Sequence, residues 1–178
     1  FLYTHNATLT LADLGALVDT LVQELQADGV QPGDRVLIVA ENCPEHVALI
    51  LACSRIGAWS CGVNARMSRG EISGFSAKAD PRVVYFTSGV SDAARQHAHD
   101  AGPRSSVLPG LQRSAARPQA VAEQGQLAAQ VAAIIFTSGT TGAPKGVLVS
   151  HAGLLQFARV SAQSRELGPQ DRSYAYLP

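Results

Sequence analysis

Charge is scarce in this chain. Only 16% of its residues are Asp, Glu, Lys or Arg, and fourteen acidic side chains balance fourteen basic ones. No basic block suits a nucleic-acid backbone or an anionic membrane surface, so neither partner is expected. Cysteine is scarce as well. Cys43, Cys53 and Cys61 are too few and too irregular for a disulfide framework, and none of their spacings suits zinc. Each is expected in an apolar setting as a small hydrophobe, the pattern of a reducing cytoplasm. Long apolar runs are missing too: "HVALILACSRIGAW" is interrupted by Arg55 and falls short of the ~20 residues that span a bilayer. No charged leader stands at Phe1, so no signal peptide is expected, and the lack of an initiator Met points to residues before it. What remains is an ordinary hydrophobic fraction, 46% of 178 residues. That is enough for one domain with a proper core, or for part of a larger one.

Strand and helix patterns alternate along most of the chain. Thr10 opens a helix with Asp13 as its acidic partner, and Leu11, Leu14, Leu17, Val18, Leu21, Val22 and Leu25 follow at helical spacing up to Gly29. After the "VQPGD" turn, "RVLIVAE" reads as a strand buried on both faces. "CPEHVALILACSRIG" reads as a helix with Pro44 near its start and Gly57 at its end. "AWSCGV" is a strand, "SRGEISGFSAKAD" a helix with Ser68 and Glu71 as a capping box, "RVVYFT" a strand, and "SDAARQHAHDAG" a helix opened by Ser91. Such alternation predicts an α/β fold: right-handed βαβ units around a mostly parallel sheet flanked by helices. Residues 103–130, rich in Ala, Gln, Pro and Arg, read as a surface connection with one possible short strand at "SSVL". "VAAIIF" and "GVLVS" resume the sheet, "HAGLLQFARVSAQS" is a helix, and "SYAYLP" reads as a last strand with nothing to close it.

One tetrapeptide occurs twice. "FTSG" ends the strand at Phe86–Gly89 and again at Phe136–Gly139, but only the second copy continues as "TTGAPKG". The first leads through Gly89 to the Ser91 helix cap and reads as a structural turn. The second packs three glycines, four hydroxyls and Lys145 into ten residues, Thr137 to Gly146. Glycines allow close backbone approach, successive N–H groups can form an anion nest, and lysine supplies a point charge for phosphate. Thr137, Ser138, Gly139, Thr140, Thr141, Gly142 and Lys145 are therefore the candidate phosphate-binding residues. This is not a Walker loop: counting from Gly139, Pro144 replaces the glycine before the lysine and Gly146 the Ser/Thr after it. The strand-like "GVLVS" also follows where that loop would enter a helix.

"AIIFTSGTTGAPKGVLVSH" closely resembles the phosphate-binding signature of the adenylate-forming superfamily, which includes acyl- and aryl-CoA synthetases, luciferase and peptide-synthetase adenylation domains. "LTLADLGALVDTLVQELQADGVQPGDRVLIVAENCPEHVALILACSRIGA" resembles the start of acyl-CoA synthetases. "GVNARMSRGEI" stands where they carry "PLNPR" and a helix, with Gly62 and Ala65 replacing prolines. The resemblance implies that residues 1–178 are the front part of a large N-terminal AMP-binding domain, with the C-terminal domain absent. It implies a ligase that activates a carboxylic acid with Mg²⁺ and ATP and passes the acyl group to coenzyme A. The loop from Thr137 to Lys145 would hold the β- and γ-phosphates. No catalytic residue and no metal ligand is expected within this segment, which would be inactive alone. Two alternatives stand: an adenylation domain serving a carrier protein, and a non-catalytic anion-binding module. Neither the acid nor the oligomeric state can be read.

Other polar residues suggest less. His97 and His99 do not share a helix face and are expected on a solvated helix rather than at a metal. His46 reads as partly buried packing and Trp59 as core. Two readings of His151 stay open: a cap for the following helix, or, by the resemblance, a neighbour of the nucleotide.

Overall fold

The computed structural model describes residues 1–5, 7–137 and 145–174. A short hairpin, β1 (Leu2–Tyr3) with β2 (Thr8–Leu9), precedes helix α1 (Leu11–Ala27). Both halves of the expected cap on α1 are present: the Asp13 amide donates to Thr10 Oγ1 at 3.1 Å, and the Thr10 amide to Asp13 Oδ2 at 2.8 Å. Satisfying these orphan amides fixes where the helix begins.

The rest is one seven-stranded sheet flanked by helices. Four parallel strands form its centre, in the spatial order β5 (Val83–Phe86), β3 (Arg35–Ala40), β4 (Trp59–Asn64) and β8 (Val131–Thr137). Helices α2 (Pro44–Ile56), α3 (Arg69–Ala79) and α4 (Asp92–Asp100) make the crossovers. Every residue of β3 is buried, as its unbroken apolar run requires of a central parallel strand. Its alternate side chains feed two cores. Val36, Ile38 and Ala40 pack with Leu21, Leu25, Leu49 and Cys53 of α1 and α2. Leu37 and Val39 pack on the other face with Ile72, Phe75, Ala94 and Ala98 of α3 and α4.

The caps read from sequence recur: Pro44 starts α2, Gly57 ends it at φ 73°, Ser68 and Glu71 form a capping box, and Ser91 caps α4. The edges differ from expectation. The "GVLVS" strand is β9 (Lys145–Ser150), and it runs antiparallel to β8. Residues 138–144 are too few for a parallel crossover, which takes a dozen or more. The 103–130 connection is also less plain than its composition suggests. It adds β6 (Arg104–Ser105) and β7 (Gln112–Arg113) antiparallel at the far edge, then α5 (Gln126–Gln130), and it buries Leu108, Leu111 and Ala128. The strand expected at "SSVL" thus falls at Arg104–Ser105. Helix α6 (His151–Ser164) follows β9, with no buried residue among those described. Of "SYAYLP", Ser173 and Tyr174 have no regular structure and the remainder lies outside the described residues.

Candidate phosphate-binding rim

The parallel strands end level with one another. Ala40 is in register with Asn64, and Val39 with Phe86. Gly62 pairs with Ile135, which sets Asn64 level with Thr137 two residues on. Glu41, Ala65, Thr87 and Thr137 therefore stand along one carboxyl rim, where open α/β sheets place their ligands. Lys145 joins them because β9 starts where β8 stops: Thr137 and Lys145 are paired, with the threonine hydroxyl 3.5 Å from the lysine carbonyl oxygen. Ser138, Gly139, Thr140, Thr141 and Gly142 lie outside the described residues. Phe136 anchors the entry to this loop, its ring 4.8 Å from that of Phe75 on α3. Gly146 anchors the exit, since a Cβ there would meet Ile134 Cγ2 at 3.0 Å.

The first "FTSG" is built differently. Thr87 is wholly buried, and its hydroxyl accepts from the Glu41 amide at 3.0 Å. The Gly89 amide donates to the Gly110 carbonyl at 2.8 Å, and a Cβ on Gly89 would lie 2.6 Å from Gly110 Cα. Backbone packed this closely leaves no space for a phosphate. The first copy is a junction between β5 and α4.

A polar network that sequence reasoning missed joins three strand ends. Arg66 forms a forked pair with Glu41, Nε to Oε1 at 3.2 Å and Nη2 to Oε2 at 3.0 Å, and Ser91 Oγ donates to Glu41 Oε1 at 3.0 Å. The Arg66 hydrogen bond, followed in weight by that of Ser91, holds the Glu41 carboxyl below its ordinary range despite partial burial. The only signal was positional, an acidic residue directly after a buried strand in "RVLIVAE".

The histidines separate by environment. His99 is exposed at 84%. His97, expected on a solvated face, turns inward, with Nε2 3.1 Å from the Ala65 carbonyl and 3.0 Å from that of Met67. His46 packs as expected; burial lowers its pKa, and its buried Nε2 has no hydrogen-bond partner among the described residues. His151 is not the cap of α6: Ser150 is, accepting from the Gly153 amide at 3.0 Å. Because β9 is antiparallel, His151 stands at the amino end of the sheet, across the strand from Lys145, with Nδ1 3.4 Å from Ser54 Oγ. That geometry sets His151 at the opposite end of β9 from the candidate phosphate-binding residues Thr137 and Lys145. Trp59 is core, its Nε1 donating to the Ala128 carbonyl at 3.0 Å. The thiols of Cys53 and Cys61 are buried, and burial raises the pKa of all three cysteines.

A loop signature that leaves one strand end of a βαβ sheet and returns as a hairpin can be compared with known proteins. The model for "AMP-binding enzyme" matches residues 1–178. The chain belongs to that family. It is 33% identical to an indoleacetate–CoA ligase of Aromatoleum aromaticum, over 96% of this chain and 35% of that protein. It is 32% identical to a fatty acid–[acyl-carrier-protein] ligase of Mycobacterium marinum, over 82% of this chain and 29% of that protein. The ATP-bound structure of MatB from Rhodopseudomonas palustris superposes with a TM-score of 0.68 at 28% identity, covering 93% of this chain and 34% of MatB. The chain thus spans about a third of the length of the relatives it matches. It has the fold of the N-terminal domain of adenylate-forming enzymes. No helix among the described residues is long and apolar enough to cross a membrane.

Proposed function

We propose that the complete protein is an acyl- or aryl-CoA ligase. A carboxylate oxygen attacks the α-phosphorus of Mg-ATP, the bond to pyrophosphate breaks, and an acyl-adenylate forms. The thiolate of coenzyme A then attacks the acyl carbon and AMP leaves. Residues 137–145 take the β- and γ-phosphates. Negative charge builds on the departing pyrophosphate, and amides, hydroxyls and the Lys145 ammonium fixed at that point stabilise it. Magnesium arrives with the nucleotide and shares that charge.

The observation that carries this proposal is the placement of Thr137 and Lys145 together at the carboxyl rim, the two ends of a donor-rich loop. The acceptor thiol is the finer part of the proposal. The likeness to a carrier-protein ligase favours, as a second reading, a carrier-bound thiol in place of coenzyme A. Both share the first half-reaction. Residues 1–178 alone are expected to be inactive, since they span so little of such enzymes.

Acid-dependent ATP–pyrophosphate exchange by the complete enzyme, across a panel of aliphatic and aromatic acids, tests the first step. Hydrogen exchange with and without Mg-ATP tests the loop. Residues 137–146 should gain protection and 87–91 should not. Equal gains in both segments, or none in the first, would show that the second copy is only a turn.

A further inference from the structure

Resting on the ligase reading above, we propose that His97 is a positioning residue, one that fixes the turn presenting Arg66 at the carboxyl rim. Carbonyl oxygens only accept, so a ring nitrogen 3.1 Å from the Ala65 oxygen and 3.0 Å from the Met67 oxygen must carry a proton. The Nε2–H is shared between the two carbonyls that bracket Arg66. The imidazole donates there, so the contact is a fixed tie.

The same helix holds the turn a second time. Ser91, the N-cap of α4, donates to Glu41 at 3.0 Å, and Glu41 grips the Arg66 guanidinium through both oxygens. Backbone and side chain of one arginine are thus both set from α4. The turn itself is short, closed by the Met67 amide to the Asn64 carbonyl at 3.1 Å and by the Arg66 amide to Asn64 Oδ1 at 2.9 Å. Asn64 is level with Thr137, where the loop begins. The Arg66 side chain is 71% exposed while paired with Glu41, a cation held on the carboxyl rim to which the proposed function brings phosphate-bearing substrates. Moving the turn moves the cation. The first "FTSG" copy thereby acquires a purpose beyond a bend: it launches the helix that sets one wall of the site.

His97→Leu and His97→Gln in the complete enzyme test this, since a glutamine amide can donate to both carbonyls. The expected result for His97→Leu is exchange of the Ala65, Arg66 and Met67 amides about tenfold faster, the scale of one lost hydrogen bond. KM should rise severalfold for a phosphate-bearing substrate, with kcat held within about twofold, the sign of lost ground-state positioning. Separate assays of pyrophosphate exchange and of thioester formation show whether that substrate is ATP or coenzyme A. His97→Gln should restore both measurements. Unchanged KM in an active enzyme, or a glutamine variant that is no better than leucine, overturns the proposal; if the leucine variant fails to fold, the glutamine variant decides by the same two measurements. Wild-type enzyme inactive with every acid overturns the ligase reading instead, and turn protection in the variants then still tests the tie.

Discussion

Thr137 and Lys145 face each other across the last rung of the β8–β9 ladder. Seen as sequence, they are the two ends of a loop; in the fold they are neighbours at one strand end. The ladder holds both ends of the loop in place, so little further closure entropy opposes wrapping it around a phosphate. The hairpin also fixes the Lys145 backbone beside Thr137.

Lys145→Ala should therefore slow adenylation more than it weakens ATP binding. The expected loss is about 2–4 kcal/mol of transition-state stabilisation, the scale of a lost oxyanion donor. Thioester formation from supplied acyl-adenylate should be nearly unchanged. Single-turnover measurement of the two half-reactions checks this, and equal losses in both would contradict the role.

Much of the fold was legible because its signals are local. Thr10 with Asp13 and Ser68 with Glu71 announce helix starts by spacing alone, and both boxes form. The apolar run from Arg35 to Ala40 announces a strand buried on both faces. What was not legible is pairing at a distance. Nothing near Glu41 in the chain names Arg66 or Ser91, and nothing near His97 names the carbonyls of Ala65 and Met67. The direction of β9 could have been read: 138–144 is too short to cross over. The loop signature suggests phosphate chemistry by composition alone, whereas the grouping of Glu41, Arg66 and Ser91 at the strand ends required the sheet register.

Arg82 and Asp34 form a buried ion pair of the same illegible kind. Nε meets Oδ2 and Nη2 meets Oδ1, each at 3.0 Å, with the side chains 7% and 1% exposed. Arg82 Nη1 also donates to the carbonyls of Arg117 and Pro118 at 3.0 and 2.8 Å, which ties the 103–130 connection to the sheet. Asp34→Ala should cost about 3–5 kcal/mol by leaving a buried guanidinium without its counter-charge. Adding Arg82→Met should recover part of that loss. Urea denaturation of the complete protein measures both, and a double variant as unstable as the sum of the singles would refute the coupling.

Buried acids predict how stability falls in alkali. Burial pushes the Cys61 thiol up to about 12 and that of Cys53 further, while both ordinarily ionise near 9.0. Burial first, then the Glu24 carboxylate accepting from its hydroxyl at 2.8 Å, raises Tyr85 well above its ordinary 10.0. The folded state keeps these protons where the unfolded state releases them. Stability is then fully present below pH 9 and declines as pH rises, by about 1.4 kcal/mol per group per pH unit. Replacing Cys53 and Cys61 by alanine should flatten the profile from pH 9, and Tyr85→Phe only above pH 10. Denaturation midpoints across that range give the answer; a wild-type profile flat from pH 9 to 11 would rule it out.

Gly89 and Gly74 make a pair in which the same substitution should act in opposite directions. A Cβ on Gly89 would lie 2.6 Å from Gly110 Cα and 3.2 Å from its carbonyl oxygen, both backbone atoms held by the Gly89 amide bond to Gly110. Nothing there can rotate aside, so Gly89→Ala should cost about 1–3 kcal/mol as overpacking. Gly74 is an exposed residue within α3, and a Cβ there meets nothing within 4 Å among the described residues. Gly74→Ala should add about 0.5–1 kcal/mol by relieving the helix of a glycine. Because Gly89 starts the approach to α4, its alanine variant should also loosen the turn at 64–67, as seen by hydrogen exchange at Arg66 and Met67. Gly74→Ala should leave that turn unchanged. If Gly89→Ala is as stable as wild type with the turn still protected, the backbone contact with Gly110 is slack, and the first copy of the tetrapeptide is a simple bend with no hold on the rim.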